Sequence, residues 1–194
     1  MKLGIIVGTT REGRQSARVS KWVAVAAGQG EEAEVTIIDL TDYPMPFFAE
    51  PASPRYNPQR QADPTAQKFL DVLAAQDAYI FVTPEYNHSI PGVLKNALDY
   101  IDFQLRRKPA AVVSHSVVPV GGARAQVHLK EILSELFAAP IQNGIALQST
   151  DLSDEGELSK EVKANPYGPQ GALEGLVKEL KWYGDALAAA RAEA

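Results

Sequence analysis

Residues 8–16 read GTTREGRQS and follow directly on the apolar run KLGIIV at 2–7. A loop between a strand and a helix favours an anion, because the helix leaves backbone N–H groups free at its start and its dipole places positive charge there. A Walker loop needs G-x-x-x-x-G-K-[ST]. Gly8 and Gly13 have the right separation, but Arg14 and Gln15 stand where Lys and Ser or Thr must be, which disfavours ATP. The dinucleotide fingerprint G-x-G-x-x-G fails at Thr10, where a glycine would let backbone approach a pyrophosphate. What is left is a set of hydroxyls at Thr9, Thr10 and Ser16, an amide at Gln15, and guanidinium groups at Arg11 and Arg14. That set suits a terminal phosphomonoester. Charge-assisted bonds from arginine, about 1.5–3 kcal/mol each, outweigh a dipole contribution of about 0.3–1 kcal/mol, so the arginines set the affinity. The alternative is a polar turn that caps the first helix and leaves both arginines in water.

A second stretch, TPEYNHSIPGVLKNALDYI at 83–101, has the composition of a ring-binding loop. Pro84 and Pro91 stiffen its ends, and Tyr86, Asn87, His88, Ser89 and backbone amides lie between them, able to line a planar group. In a doubly wound sheet, ligands sit beyond the carboxyl ends of the strands where the winding reverses, and that places this loop opposite GTTREGRQS. Other polar residues read more simply. Lys95 and Asp99 make an i,i+4 pair on one helix. His88, His115 and His128 lack metal-ligand spacing; His88 is read as a pocket residue and His128 as a plain helix residue. The acidic stretch 151–171 resembles a calcium loop until its twelfth position from Asp151, Val162, where a bidentate Glu is needed; it reads as a solvated loop, and no metal is expected.

These loops need a scaffold. KLGIIV, EVTIID at 34–39, AYIFVT at 78–83, PAAVVS at 109–114 and Ile141–Leu147 are five strand-like runs. Helical spacing fills the intervals. One helix starts near Gln15 with Val19, Trp22, Val23, Ala26 and Ala27 inward, and one covers Thr65–Ala75 with Phe69, Leu70, Val72 and Leu73 inward. Others run over Pro91–Asp102 and Arg124–Phe137, and a last one carries Leu173, Leu176, Val177, Leu180, Tyr183 and Leu187 into an Ala-rich tail expected to fray. Continuous apolar strands alternating with helices predict a parallel sheet covered on both faces. One domain, 1–194, is expected. Residues 41–64 break the rhythm with six of the chain's 13 prolines and with Tyr43, Phe47, Phe48 and Tyr56, which reads as a lid or a subunit contact.

Bulk composition narrows the function. A net charge of −5 argues against nucleic acid or an anionic membrane as partner. With no cysteine, thiolate catalysis, disulfides and Cys-ligated metal clusters are excluded, so redox chemistry requires a bound cofactor. The first apolar run is too short for a signal peptide and no stretch approaches a membrane span, so a cytoplasmic protein is expected.

The chain resembles the flavodoxin-like NADPH-dependent FMN reductases, a family that includes quinone, azo and chromate reductases. TPEYNHSIPGVLKNALDY at 83–100 is similar to that family's flavin-ring segment, GTTREGR at 8–14 to its phosphate loop, and VGGARAQVHL at 120–129 to its third shared stretch. The resemblance implies an α/β three-layer sandwich with a five-stranded parallel sheet, order 2-1-3-4-5, and helices on both faces. It implies FMN as cofactor and NADPH or NADH as co-substrate. Thr9, Arg11 and Ser16, with Arg14 and Gln15, would hold the FMN phosphate. Pro84, Glu85, Tyr86, Asn87, His88 and Ser89 would contact the isoalloxazine and ribityl, largely through backbone, and Ser114, His115 and Ser116 would border the other ring edge. The sequence departs from many relatives at Gln15-Ser16-Ala17, where they carry Ser-x-Asn, and at Ser116-Val117, where they carry a glycine pair.

The implied activity is hydride transfer from NAD(P)H to bound FMN, then to a quinone, flavin, azo dye or metal oxyanion, by a ping-pong mechanism. The flavin carries the chemistry and no side chain is assigned as catalytic. Glu85 as a general acid is set against a loop-ordering or subunit-contact role, which is the preferred reading. Arg106, Arg107 and Lys108 could meet the 2′-phosphate of NADPH but read more simply as a solvated turn. A second subunit, in a homodimer or a homotetramer, is expected to complete the pocket through 41–64 and the helix at Pro91. The alternatives are a flavodoxin-type electron carrier and a slow FMN-binding redox sensor.

Overall fold

Strand β1 (Lys2–Val7) is buried at every position but its first, and β3 (Ala78–Pro84) at every position. Strands sealed on both faces lose polar alternation, which is why both segments read as unbroken apolar runs. The computed structural model describes residues 1–28 and 33–193. In it β1 and β3 pair with β2 (Glu34–Asp39), β4 (Pro109–Ser116) and β5 (Ala139–Gln148) in one parallel sheet of order β2-β1-β3-β4-β5. This is the flavodoxin-like order that the resemblance implies. The register sets Val7 beside both Asp39 and Val82, and Ser114 beside both Thr83 and Ala146, so the carboxyl ends of β1, β3 and β4 come level.

Two cores flank the sheet. On one face α2 (Pro64–Ala74), α3 (Gly92–Asp99) and α4 (Ala123–Glu135) bury Leu70, Leu94 and Leu129 against Ile6, Phe81 and Val112. On the other, α1 (Ser16–Ala27) and α6 (Pro169–Ala192) bury Val19, Trp22 and Leu176 against Ile5, Ile80 and Val113. Trp22 is a core residue as its spacing predicts, with its indole N–H donated to Gln170 at 3.1 Å. The start of α2 is set by Asp63, whose carboxylate accepts from the N–H groups of Thr65 and Ala66, followed by Pro64 in the first turn.

Two segments, the tail and the 151–171 stretch, differ from their reading in the sequence. The Ala-rich tail is helical to Ala192, because Arg191 donates to the carbonyl of Arg107 at 2.7 Å and faces Asp77 at 3.7 Å. The proline-rich segment is a strap docked on α3. Asn96 donates to the carbonyl of Pro46 and accepts from the N–H of Phe48, both at 2.8 Å, and Phe48 meets the Tyr100 ring edge-on at 5.2 Å. In the 151–171 stretch Asp154, Glu155 and Glu157 are exposed as expected, but Leu152 is buried, Lys160–Ala164 forms the short helix α5, and Arg18 pairs with Asp154 at 2.9 Å.

Candidate functional site

The loop after β1 is pressed against β3. Gly8 donates its N–H to Val82 at 2.8 Å, and a Cβ there would stand 2.9 Å from a Leu94 methyl and 3.0 Å from the Val82 carbonyl oxygen. A glycine is therefore required for the chain to leave β1 at this height. Thr9 comes next and is buried, with its hydroxyl 3.1 Å from the phenol of Tyr86 on the loop after β3. At the end of the loop α1 starts without a side-chain cap, since the Gln15 carboxamide turns away to accept from the Ser149 hydroxyl. The first-turn N–H groups of α1 are thus unclaimed by any capping side chain, and the positive end of the helix dipole stays open to an anion.

Three elements enclose a cavity of about 420 Å³ over this helix start. The loop contributes Thr9, Arg11, Arg14, Gln15 and Ser16; the end of β3 contributes Pro84, Glu85 and Tyr86; the end of β4 contributes His115 and Ser116. Arg14 is fixed by Asp39 at the end of β2, Nη2 to Oδ2 at 2.5 Å, with Thr41 at 3.3 Å. Its buried Nε has no hydrogen-bond partner among the described residues. Arg11 is exposed on the rim, and no ion pair among the described residues holds it. An uncapped helix start, a free buried N–H of an arginine and a second unpaired arginine together fit the phosphate of FMN.

The same architecture recurs in known proteins. A family model described as NADPH-dependent FMN reductase matches residues 1–151. The chain belongs to that family. It is an oxidoreductase family with FMN as cofactor and NAD(P)H as reductant. The chain is 29% identical over 169 residues to a quinone reductase of Escherichia coli, covering 79% of this chain and 85% of that protein. It is 30% identical over 184 residues to an NADPH azoreductase of Bacillus sp., covering 94% and 92%. Among solved structures, FerB of Paracoccus denitrificans, a flavoenzyme NAD(P)H:(acceptor) oxidoreductase, superposes with a TM-score of 0.76 at 23% identity, over 95% of this chain and 97% of that one.

Within this family frame the charges of the site have definite states. Burial, reinforced by the positive charge of Arg18, pushes the His115 imidazole down to about 4, so the ring is neutral at physiological pH. Its Nε2 lies 2.7 Å from the Ser16 hydroxyl oxygen. Burial works against ionisation of Glu85, but hydrogen bonds from the Arg124 side chain and from the backbone N–H groups of Ala125 and Arg124 outweigh it and hold the carboxyl below its ordinary range. Glu85 therefore orders the start of α4 as a carboxylate, which makes it a poor proton donor.

Four of the sequence-selected residues lie outside the cavity wall. Ser114 is buried in the sheet and donates to the Ile145 carbonyl at 3.3 Å. Asn87 and His88 are exposed at the tip of a two-residue turn, with φ of 50° and 65°, closed by reciprocal backbone bonds between Tyr86 and Ser89 at 2.9 and 3.0 Å. Ser89 faces His128 of α4, Oγ to Nδ1 at 3.1 Å, so His128 pins the turn rather than being a plain helix residue. Lys95 and Asp99 form the expected pair at 2.6 Å.

Arg106, Arg107 and Lys108 precede β4 at its amino end. At about 3.3 Å per residue the strand puts even Lys108, eight residues back, about 26 Å from Ser116. Lys108 is not solvated as a turn residue would be: it donates to the Ala74 carbonyl at 2.8 Å, and burial lowers it to about 8. Asp39, Ser149 and Arg124 were not selected from sequence. Only Asp39 carried a local signal, a carboxylate ending a strand that neighbours β1. Ser149 and Arg124 reach the site from elements more than a hundred residues from the phosphate loop. Among the described residues no cluster of His, Asp and Glu could hold a metal ion, and no helix is long and apolar enough to cross a membrane.

Proposed function

We propose that this chain is an FMN-dependent NAD(P)H oxidoreductase that passes electrons to a quinone or an azo compound by a ping-pong mechanism. The observation that carries this reading is the uncapped start of α1 with Arg11 and the free Nε of Arg14 beside it, set level with the turn after β3. Thr9, Arg11, Arg14 and Ser16 hold the FMN phosphate, and Gln15, its carboxamide turned to Ser149, takes part only through its backbone at the helix start. Pro84, Glu85 and Tyr86, with the Asn87–His88–Ser89 turn at the lip, seat the ribityl and ring, and His115 and Ser116 form the wall on the β4 side; Ser114 supports that wall from within the sheet. FMN, once bound by these residues, would supply the two-electron chemistry that links NAD(P)H to the acceptor. The protein's share is position and electrostatics. Tyr86 is tethered to Thr9 and the turn is tied to α4 by Ser89 and His128, so the protein's own side chains position the ring seat. Glu85 is committed to α4 as a carboxylate and does not supply the proton that the reduced acceptor takes up, which comes from solvent.

A second copy of the chain covers the open side of this seat. Val117, Val118 and Val120 beside the cavity are 57%, 51% and 47% exposed, an apolar rim that water solvates poorly. A homodimer, or a tetramer of such dimers, buries it. Steady-state NAD(P)H oxidation with a quinone and with an azo dye tests the reading: parallel double-reciprocal lines are expected, and intersecting lines contradict a shared site. A fully active monomer contradicts the second copy.

A further inference from the structure

Ser16, the first residue of α1, is fully buried, and His115 at the end of β4 is 3% exposed. Their 2.7 Å contact joins residues 99 apart in sequence across one wall of the cavity. A serine hydroxyl has one proton, and a neutral imidazole carries one N–H on either of its two nitrogens. With Nε2 bare, Ser16 must donate to it and has only lone pairs left for an anion. With Nε2 protonated, the imidazole donates to Ser16, whose own O–H is then free for a phosphate oxygen. Burial and Arg18 keep the ring neutral, so the choice is between these two tautomers and not between a neutral and a charged ring.

Resting on the FMN reading above, we propose that His115 is a positioning residue for the cofactor's phosphate: its Nε2–H form aims the Ser16 hydroxyl at a phosphomonoester and makes the site prefer FMN to riboflavin. The two residues act as one unit. Removing either leaves the other without the contact that makes it useful, so their effects on phosphate binding overlap.

The test is flavin binding to the apoprotein, followed by quenching of flavin fluorescence, for wild type, S16A, H115L, H115Q and the S16A/H115L double variant, with FMN and riboflavin as probes. H115L and S16A should each weaken FMN by about tenfold or more, the scale of a lost hydrogen bond to a charged group, with riboflavin unchanged. The double variant should be no weaker than the worse single one. H115Q, whose amide N–H reaches the place of Nε2, should retain FMN within about threefold of wild type. Equal losses for both flavins, H115Q as weak as H115L, or additive losses would overturn the proposal.

A second readout needs no variant. In the FMN-bound wild type, the ¹⁵N resonance of His115 Nε2 should be that of a protonated ring nitrogen and Nδ1 that of a bare one, and the reverse assignment overturns the proposal. A wild type that binds neither flavin contradicts the FMN reading itself. One that binds FMN as H115L does contradicts only the role of His115.

Discussion

Glu85 holds Arg124 twice: its Oε1 accepts from the guanidinium at 2.9 Å and its Oε2 from the backbone N–H of the same residue at 3.0 Å. A carboxylate at the end of β3 thereby caps a helix whose own preceding residue, Gly122, has no side chain to offer. The cap fixes the distance between the ring-binding turn and α4.

Replacing Glu85 with Ala removes this cap and should lower stability by about 1 kcal/mol at pH 7, read from urea unfolding. The Glu85 carboxyl titrates below its ordinary 4.5 in the folded chain, so its contribution is present above that value and is lost as pH falls below it. The gap between wild type and E85A should close on acidification. Equal stability at pH 7 would contradict the capping role.

His115 gives an opposite-looking case with the same arithmetic. The unfolded chain takes up a proton near 6.5, while the folded chain does so only near 4. Folding thus loses stability as pH falls through that window, by about 2 kcal/mol at pH 5. In H115Q this slope should vanish. Urea unfolding between pH 7.5 and 4.5 measures it, and identical slopes in both proteins would contradict a buried neutral ring.

The two arginines of the phosphate loop should separate. Arg11→Ala removes an unpaired rim charge, so FMN affinity should drop about ten- to a hundredfold while unfolding changes by less than about 0.5 kcal/mol. Arg14→Ala also strands Asp39, whose side chain is 19% exposed, so it should cost about 1–3 kcal/mol of stability besides affinity. An R14A protein as stable as wild type would contradict the Arg14–Asp39 anchor.

At Gly8 a methyl group has no room between Leu94 and the Val82 carbonyl. Gly8→Ala should destabilise by about 1–3 kcal/mol and weaken FMN by displacing the whole loop. Thermal melting and flavin titration check both, and a G8A protein unchanged in both would show that the loop tolerates the shift.

Much of the fold was legible because burial on both faces leaves an unmistakable apolar run in β1, β3 and β4, and because Val19, Trp22 and Leu176 keep helical spacing. The phosphate loop was legible because its chemistry is local. The tail was misread because Arg191 finds its partners at Arg107 and Asp77, far away in sequence, and local composition holds no trace of them. Likewise Arg14 and Gln15 look equally free in GTTREGRQS, yet Asp39 fixes one and Ser149 turns the other from the helix start. The turn at Asn87–His88 needs both residues in the left-handed region, which their identities permit but do not dictate.

The central claim, that these loops hold FMN in a seat reached by NAD(P)H, is tested most directly by the visible spectrum. Protein purified or reconstituted with FMN and freed of excess ligand should be yellow, with about one flavin per chain, and NADPH or NADH added without oxygen should bleach it before a quinone restores the colour. A protein that stays colourless after FMN is offered, or a bound flavin that neither nucleotide bleaches, would contradict it.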